Sequence, residues 1–328
     1  MKNENLSNKQ DTDPPQDSDQ ERFPIRVLSE KSAVSSSTLR AWERRYGLLH
    51  PERTPKGHRL YSNSDIQRVL RILDLLNDGH SLPEIAEMLS VLSKTSEETS
   101  GINNVSKKDA GEITIWDTLI KNTIEAVSDF NIERIDSIYN ESSSLYPVDL
   151  VTDRLIQPVI EFLGSAWKSH PERGIAEEHF YTSWLKHRLG ARFHHAYTQA
   201  KGARIICACV PGSYHEIGLM LFSLSALARG YRVLYFGADL PLDQLIYVTQ
   251  RSAAKAIVLS AQTQMDKGVN DQLAELLENI QTPVFMGGSN NQFDKVKFEQ
   301  AKGILLGSKI SVALKVFESH IPPHWRSK

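Results

Sequence analysis

The sequence predicts a multidomain protein of the α and α/β classes: an N-terminal winged helix-turn-helix, a four-helix bundle and a C-terminal doubly wound parallel sheet of five strands. Three observations lead there. Residues 23–92 carry short helical patterns separated by turn residues, together with a basic wing. Residues 113–200 are helical in periodicity throughout. From 201 to 328, short apolar runs alternate with helix-length segments, the pattern of parallel strands wound with helices.

The remaining stretches join these three. Residues 1–22 are polar, charged and almost free of aliphatic side chains, so a disordered tail is expected. Residues 93–112, rich in Ser, Thr, Asn, Gly and Lys, read as a flexible linker. A chain of 328 residues suits two or three domains, and 40% hydrophobic with 24% charged residues is a soluble globular composition. The net charge of −2 means that any nucleic-acid contact must come from a local patch. With no run of 18 apolar residues and no apolar leader, a cytoplasmic protein without membrane contact is expected. Cys207 and Cys209 stand two apart on one proposed strand and read as small buried hydrophobes in a reducing compartment.

In the head, Ile25, Leu28, Ala33 and Val34 suit a short first helix, and residues 34–37 form a turn and N-cap cluster. Residues 38–46 read as a second helix stopped by Gly47. The stretch to Tyr61 holds Pro51, Pro55 and Gly57 and ends extended, which suits a β-wing. Asn63, Ser64 and Asp65 offer caps for a third helix with Ile66, Val69, Leu70, Ile72, Leu73 and Leu76 as its apolar stripe, and Ser81 caps a fourth over 82–92. Between Arg40 and Arg71 eight basic residues face three acids, and they fall on both the second helix and the wing. That is the electrostatic footprint of a duplex-DNA binder, with a solvated, ion-paired face as the alternative.

The run from Ser37 to Leu49, STLRAWERRYGLL, resembles the recognition helix of MerR-type winged-helix regulators, and the run from Arg53 to Tyr61, RTPKGHRLY, resembles their wing. The resemblance implies a second helix in the major groove, with Ser37, Thr38, Arg40 and Arg44 near phosphates or base edges. It also implies that Arg59 and Tyr61 lie against the DNA backbone and minor groove. Such proteins bind pseudo-palindromic double-stranded DNA as dimers. Thiolate metal sensing is not implied, because no cysteine precedes Cys207.

The bundle reads as four helices over 114–128, 131–144, 147–169 and 174–199. Strands are expected over 204–210, 232–236, 256–260, 283–286 and 303–306, each followed by a helix, in the order 2-1-3-4-5. Strands 1 and 3 then flank the point where the winding reverses and the ligand crevice opens. Three features sit at the carboxyl ends of strands: His215 with Gly218 after the first, Ser260 closing the third, and Gly287-Gly288 after the fourth. A histidine there can ligate a metal, a serine can bond a heterocycle, and paired glycines admit a large flat group close to the backbone.

The spacing is the sharper feature, with 41 residues between Gly218 and Ser260 and 24 between Gln262 and Gly287. It resembles the flavodoxin-like cobalamin-binding fold, in which Asp-x-His-x-x-Gly, Ser-x-Leu and Gly-Gly recur at these intervals. A bundle before it, carrying Trp167 and then Glu178-His179, resembles the cap over the upper corrin face. A MerR-type head, bundle and cobalamin fold in this order resemble the light-responsive CarH/LitR-type regulators, over residues 24 to about 320.

The resemblance implies His215 as the axial cobalt ligand, Gly218 as a cofactor-binding residue of the same loop, and Ser260, Gly287 and Gly288 around the displaced nucleotide tail. It also implies Trp167, Glu178 and His179 beside an adenosyl group. The cofactor implied is adenosylcobalamin, with methylcobalamin the alternative. The function implied is a non-enzymatic, self-associating (dimer or tetramer) repressor that holds DNA in the dark and releases it on photolysis. Ser213 departs from the pattern's acidic residue and Gln262 from its leucine. Lys168 follows the Trp, where some members have a histidine that captures cobalt, and His170 lies close by. Two other readings stay open: a regulator whose cobalamin-like fold has lost its ligand and acts through protein contacts, and a corrinoid carrier or enzyme.

Overall fold

The computed structural model describes residues 21–94, 114–166, 168, 171–197, 200–288 and 293–323. Most of the expected tail and linker, as well as Trp167 and His170, lie outside the described residues.

The head begins with β1 (Phe23–Pro24), α1 (Ile25–Ser32) and α2 (Ser36–Ala41). The second helix starts at Ser36, two residues earlier than expected, because the Ser35 hydroxyl is the cap and accepts from the Thr38 N–H. It runs on through a wider π-type turn over Trp42–Tyr46 and stops at Gly47, whose φ of +61° suits glycine. The wing follows as β2 (Glu52–Arg53) and β3 (Arg59–Tyr61), with β3 pairing antiparallel to both β1 and β2. Next come α3 (Asn63–Asn77) and α4 (Leu82–Lys94). The cap of α3 is Ser62, not the three residues after it: Ser62 and Asp65 bond each other's backbone reciprocally.

The bundle is α5 (Ile115–Ser128), α6 (Ile132–Leu145), α7 (Val148–Val151) leading into α8 (Gln157–Ala166), and α9 (Gly174–Tyr197). The expected single third helix is interrupted between α7 and α8 by a π-type turn over Thr152–Ile156, where the Gln157 N–H bonds the Thr152 carbonyl. Pro158 supplies the cause, since it has no N–H for the ordinary ladder. Asp153, inside this turn, bonds the start of a distant helix.

The C-terminal part alternates β4 (Arg204–Cys209), α10 (Ile217–Ala228), β5 (Arg232–Gly237), α11 (Gln244–Ser252) and β6 (Ala256–Ala261). It continues with α12 (Lys267–Asn279), β7 (Val284–Gly288), α13 (Lys295–Gln300), β8 (Ile304–Gly307) and α14 (Ile310–His320). The strands are all parallel and ordered β5-β4-β6-β7-β8, which is the expected 2-1-3-4-5. The central strand β6 is buried along its whole length, which is why its sequence runs apolar without alternating. Burial pushes the thiols of Cys207 and Cys209 up to about 12, so both stay protonated inside the sheet.

Polar clasps tie the three parts together. Arg229, at the end of α10, bonds Asp149 of the bundle at 2.9 Å and Glu318 of α14 at 2.8 Å. The Asp153 carboxylate accepts from the N–H groups of Ile310 and Ser311 at 3.1 and 3.2 Å and so caps α14. On the other side, the Trp42 indole N–H donates to the Leu145 carbonyl at 2.7 Å and joins the recognition segment to the end of α6. Among the described residues no helix is long and apolar enough to cross a membrane.

Candidate functional site

The site is built on the loop between β4 and α10. Val210 ends the strand run, the Ser213 N–H returns to the Val210 carbonyl, and the chain turns outward to present His215 exposed at the sheet's carboxyl edge. Asp239, just past β5, fixes the loop: its carboxylate accepts from the Gly212 N–H at 2.8 Å and from the Tyr214 hydroxyl at 3.2 Å, while its own N–H donates to the Ser213 carbonyl. Asp239 holds a φ of +56°, a conformation aspartate tolerates better than most residues. From β6, the Gln262 N–H donates to the Ser213 hydroxyl at 3.3 Å, and Thr263 donates to the Gly212 carbonyl at 3.1 Å.

Ser213 is therefore fully buried and occupied in holding the neighbouring strand end. His215 has no hydrogen-bond partner among the described residues. The residue after it, Glu216, turns inward, accepting from the Tyr235 hydroxyl at 2.9 Å and pairing with Lys186 of α9 at 3.2 Å. Burial and the bond to Glu216 push the Tyr235 phenol well above its ordinary value, so it acts as a permanent donor. The bundle is thus joined to the His215 loop through one carboxylate.

Beside this loop lies a cavity of about 490 Å³, lined by Gly218 and Phe222 of α10, Ser260 and Gln262, Gly287 and Gly288, and Gln157 and Glu161 of the bundle. Four of the residues singled out by spacing, Gly218, Ser260, Gly287 and Gly288, share it; His215 stands apart on the loop above. Ser260 is 4% exposed, and its hydroxyl has no hydrogen-bond partner among the described residues. Gly288 has φ +120°, and a Cβ there would stand 2.1 Å from the Ala261 carbonyl oxygen, so no other residue lets β7 run this close to β6. Gly287 is less constrained, its missing Cβ meeting nothing closer than 3.9 Å.

On the bundle side Glu178 is half-buried and His179 exposed at the start of α9. The buried acid is their neighbour Glu177, 4% exposed and 3.9 Å from Arg173. Several contributors carry no local sequence motif. Asp239 has one usable signal, its place as the acid just past β5 at the same sheet edge; Gln157 and Lys186 have none.

The head presents Ser37, Arg40 and Arg44 outward on the recognition segment, with Arg45 beside them. Two expected contacts are corrected. Thr38 is 1% exposed, and its hydroxyl shares a hydrogen bond with Ser35 at 2.8 Å inside the capping turn. Tyr61 is fully buried: it is the inward-facing residue of β3 and packs in the head's core, so it cannot lie on DNA. Desolvation pushes its phenol up to about 12. Arg59 donates to Glu43 at 2.6 Å and Arg53 donates to the other oxygen of the same carboxylate at 3.0 Å, so Glu43 locks the wing to the recognition segment. The other guanidinium nitrogens of Arg59 remain available to phosphate.

Residues 23–92 match the family described as MerR HTH family regulatory protein. The chain is similar to the HTH-type transcriptional repressor CarH of Myxococcus xanthus, 26% identical over 223 residues, spanning 68% of this chain and 73% of that one. It is also similar to the HTH-type transcriptional repressor CarA of the same organism, 25% identical over 67% of this chain and 70% of that one. Among solved structures, the Methanosarcina barkeri monomethylamine corrinoid protein overlays with a TM-score of 0.49 at 15% identity, covering 62% of this chain and 98% of its own.

Proposed function

We propose that this chain, a MerR-type transcriptional regulator similar to the CarH and CarA repressors, binds adenosylcobalamin between its bundle and its sheet and releases operator DNA on illumination. The observation that carries the corrinoid reading is the cavity at the carboxyl ends of β6, β7 and β8. Its volume falls in the range of small-molecule sites, roughly 300–1,000 Å³. Its floor carries an unpaired serine hydroxyl at Ser260, and the approach of β7 depends on a glycine at Gly288. A nucleotide tail fits that donor set.

In this reading His215 would supply an imidazole nitrogen to cobalt, and Gly218, Ser260, Gly287 and Gly288, which share the cavity, would hold the displaced nucleotide. Glu178 and His179 on α9 would hold the adenosyl group, and the family resemblance assigns Trp167 to the same task. The cofactor, when bound, supplies a cobalt–carbon bond that light can break. The protein's own part is mechanical. Movement of α9 is felt at Glu216 through Lys186, movement of α7 at Arg229 through Asp149, and the end of α6 meets the recognition segment at Trp42.

Purified protein mixed with adenosylcobalamin in the dark is expected to keep a cobalamin spectrum through desalting, and His215→Ala to lose it. An operator gel shift that is equal in light and dark overturns the switch while leaving DNA binding in place. A second reading, a regulator acting through protein contacts alone, draws on Ser213: its hydroxyl is engaged by Gln262, and His215 has no orienting partner among the described residues. Failure to retain any corrinoid decides for that reading.

A further inference from the structure

The slot below the His215 loop has polar groups that the proposed function leaves unused. Gln262 leaves β6 two residues after Ser260, with its backbone fixed on the Ser213 hydroxyl. Its side chain lines the slot and reaches toward the first turn of α10, the Nε2 lying 3.5 Å from where a Cβ on Gly218 would stand. Among the described residues its carboxamide has no hydrogen-bond partner, and neither does the hydroxyl of Ser308 in the same lining. From the bundle, Gln157 faces the slot and donates through Nε2 to Glu161 at 2.8 Å, which leaves its Oε1 free to accept.

A carboxamide presents a donor and an acceptor side by side. Glutamine grips adenine in that way, through the exocyclic amine and a neighbouring ring nitrogen. A dimethylbenzimidazole presents methyl groups instead and leaves the carboxamide dehydrated without a partner. A leucine at residue 262 would suit the methyl groups; the glutamine does not.

We propose that the slot selects a corrinoid whose lower nucleotide carries an adenine-type purine, with Gln262 as the specificity-determining residue. The proposal rests on the corrinoid reading above and departs from it in one respect, the lower base, since adenosylcobalamin itself carries dimethylbenzimidazole and would be the weaker-bound form.

The test titrates the full-length chain, in the dark, with two corrinoids that share a 5′-deoxyadenosyl upper group and carry either adenine or dimethylbenzimidazole below. Affinity is read from the visible spectrum. The purine form is expected to bind more tightly, on the order of tenfold, and Gln262→Leu to shrink that preference several-fold. Adenine is the weaker base toward cobalt, so easier displacement alone would also favour it. That contribution is the same in Gln262→Leu, and a preference that persists undiminished in the variant overturns the assignment. Equal binding, or tighter binding of the dimethylbenzimidazole form by the unaltered chain, overturns the proposal without any variant. Binding of neither form overturns the corrinoid reading and the selection with it.

Discussion

Gly288 and Tyr61 show how much a single side chain decides. With φ +120° and the Ala261 carbonyl 2.1 Å from a would-be Cβ, Gly288→Ala must push β7 off β6. The expected cost is about 3 kcal/mol or more, seen as a fall in thermal midpoint together with loss of ligand uptake. Tyr61 is the opposite case, since its buried hydroxyl finds no partner among the described residues. Tyr61→Phe is expected to leave operator affinity unchanged and stability equal or higher by about 1 kcal/mol, measured by gel shift and denaturant titration. The outward Arg40 should behave differently: Arg40→Ala weakens DNA binding and lowers the salt slope by about 1. Cys207 and Cys209 set a pH limit. Their folded pKa values lie above those of the unfolded thiols, so the stability they contribute is complete below the ordinary thiol range. It is lost as pH rises toward about 12, and a thiol reagent at mild pH should find them only after unfolding. The glycines and Ser260 are legible in the sequence because spacing along parallel strands maps onto one sheet edge. Tyr61 misleads because a family resemblance does not say which face of the wing a residue takes, and only the pairing of β3 decides that.

Element boundaries are legible to within a few residues wherever apolar periodicity meets a cap, as for α5 at Thr114 and α6 at Asn131. Alternation marks the sheet as parallel and doubly wound, and the order is the common five-stranded one of that class. What escapes is the π-type turn before α8: Pro158 is visible, but a proline there could end the helix or merely bend it. Within that turn Asp153 reaches the start of α14, 157 residues away. Asp153→Ala should cost about 1 kcal/mol, the ordinary worth of a cap, and speed hydrogen exchange at Ile310 and Ser311. Arg229 joins three elements, and its removal leaves two carboxylates facing each other. Arg229→Met is expected to cost about 3 kcal/mol in a thermal melt.

Across the whole molecule, the contacts that matter most are those that local sequence does not reveal. Trp42 reads as a family residue of the recognition helix, and its tie to Leu145 joins residues 103 apart in the chain. Trp42→Phe keeps one aromatic ring, drops the donor and leaves a cavity where the rest of the buried indole packed. It should cost about 2–3 kcal/mol and split one thermal transition into two, followed by calorimetry. The Lys186–Glu216 pair plays the corresponding part between bundle and sheet.

The Trp42 bond also bears on modularity. Regulators with interchangeable heads are attractive material for building hybrid sensors, and a cut placed between head and bundle looks harmless on a linear map. In this chain such a cut strips the indole N–H of its acceptor and leaves a foreign bundle to supply a carbonyl at the same spot. A working graft would have to carry the end of α6 along with the head. The unit of exchange is therefore larger than the 70 residues that match the regulatory family, and it ends at Leu145.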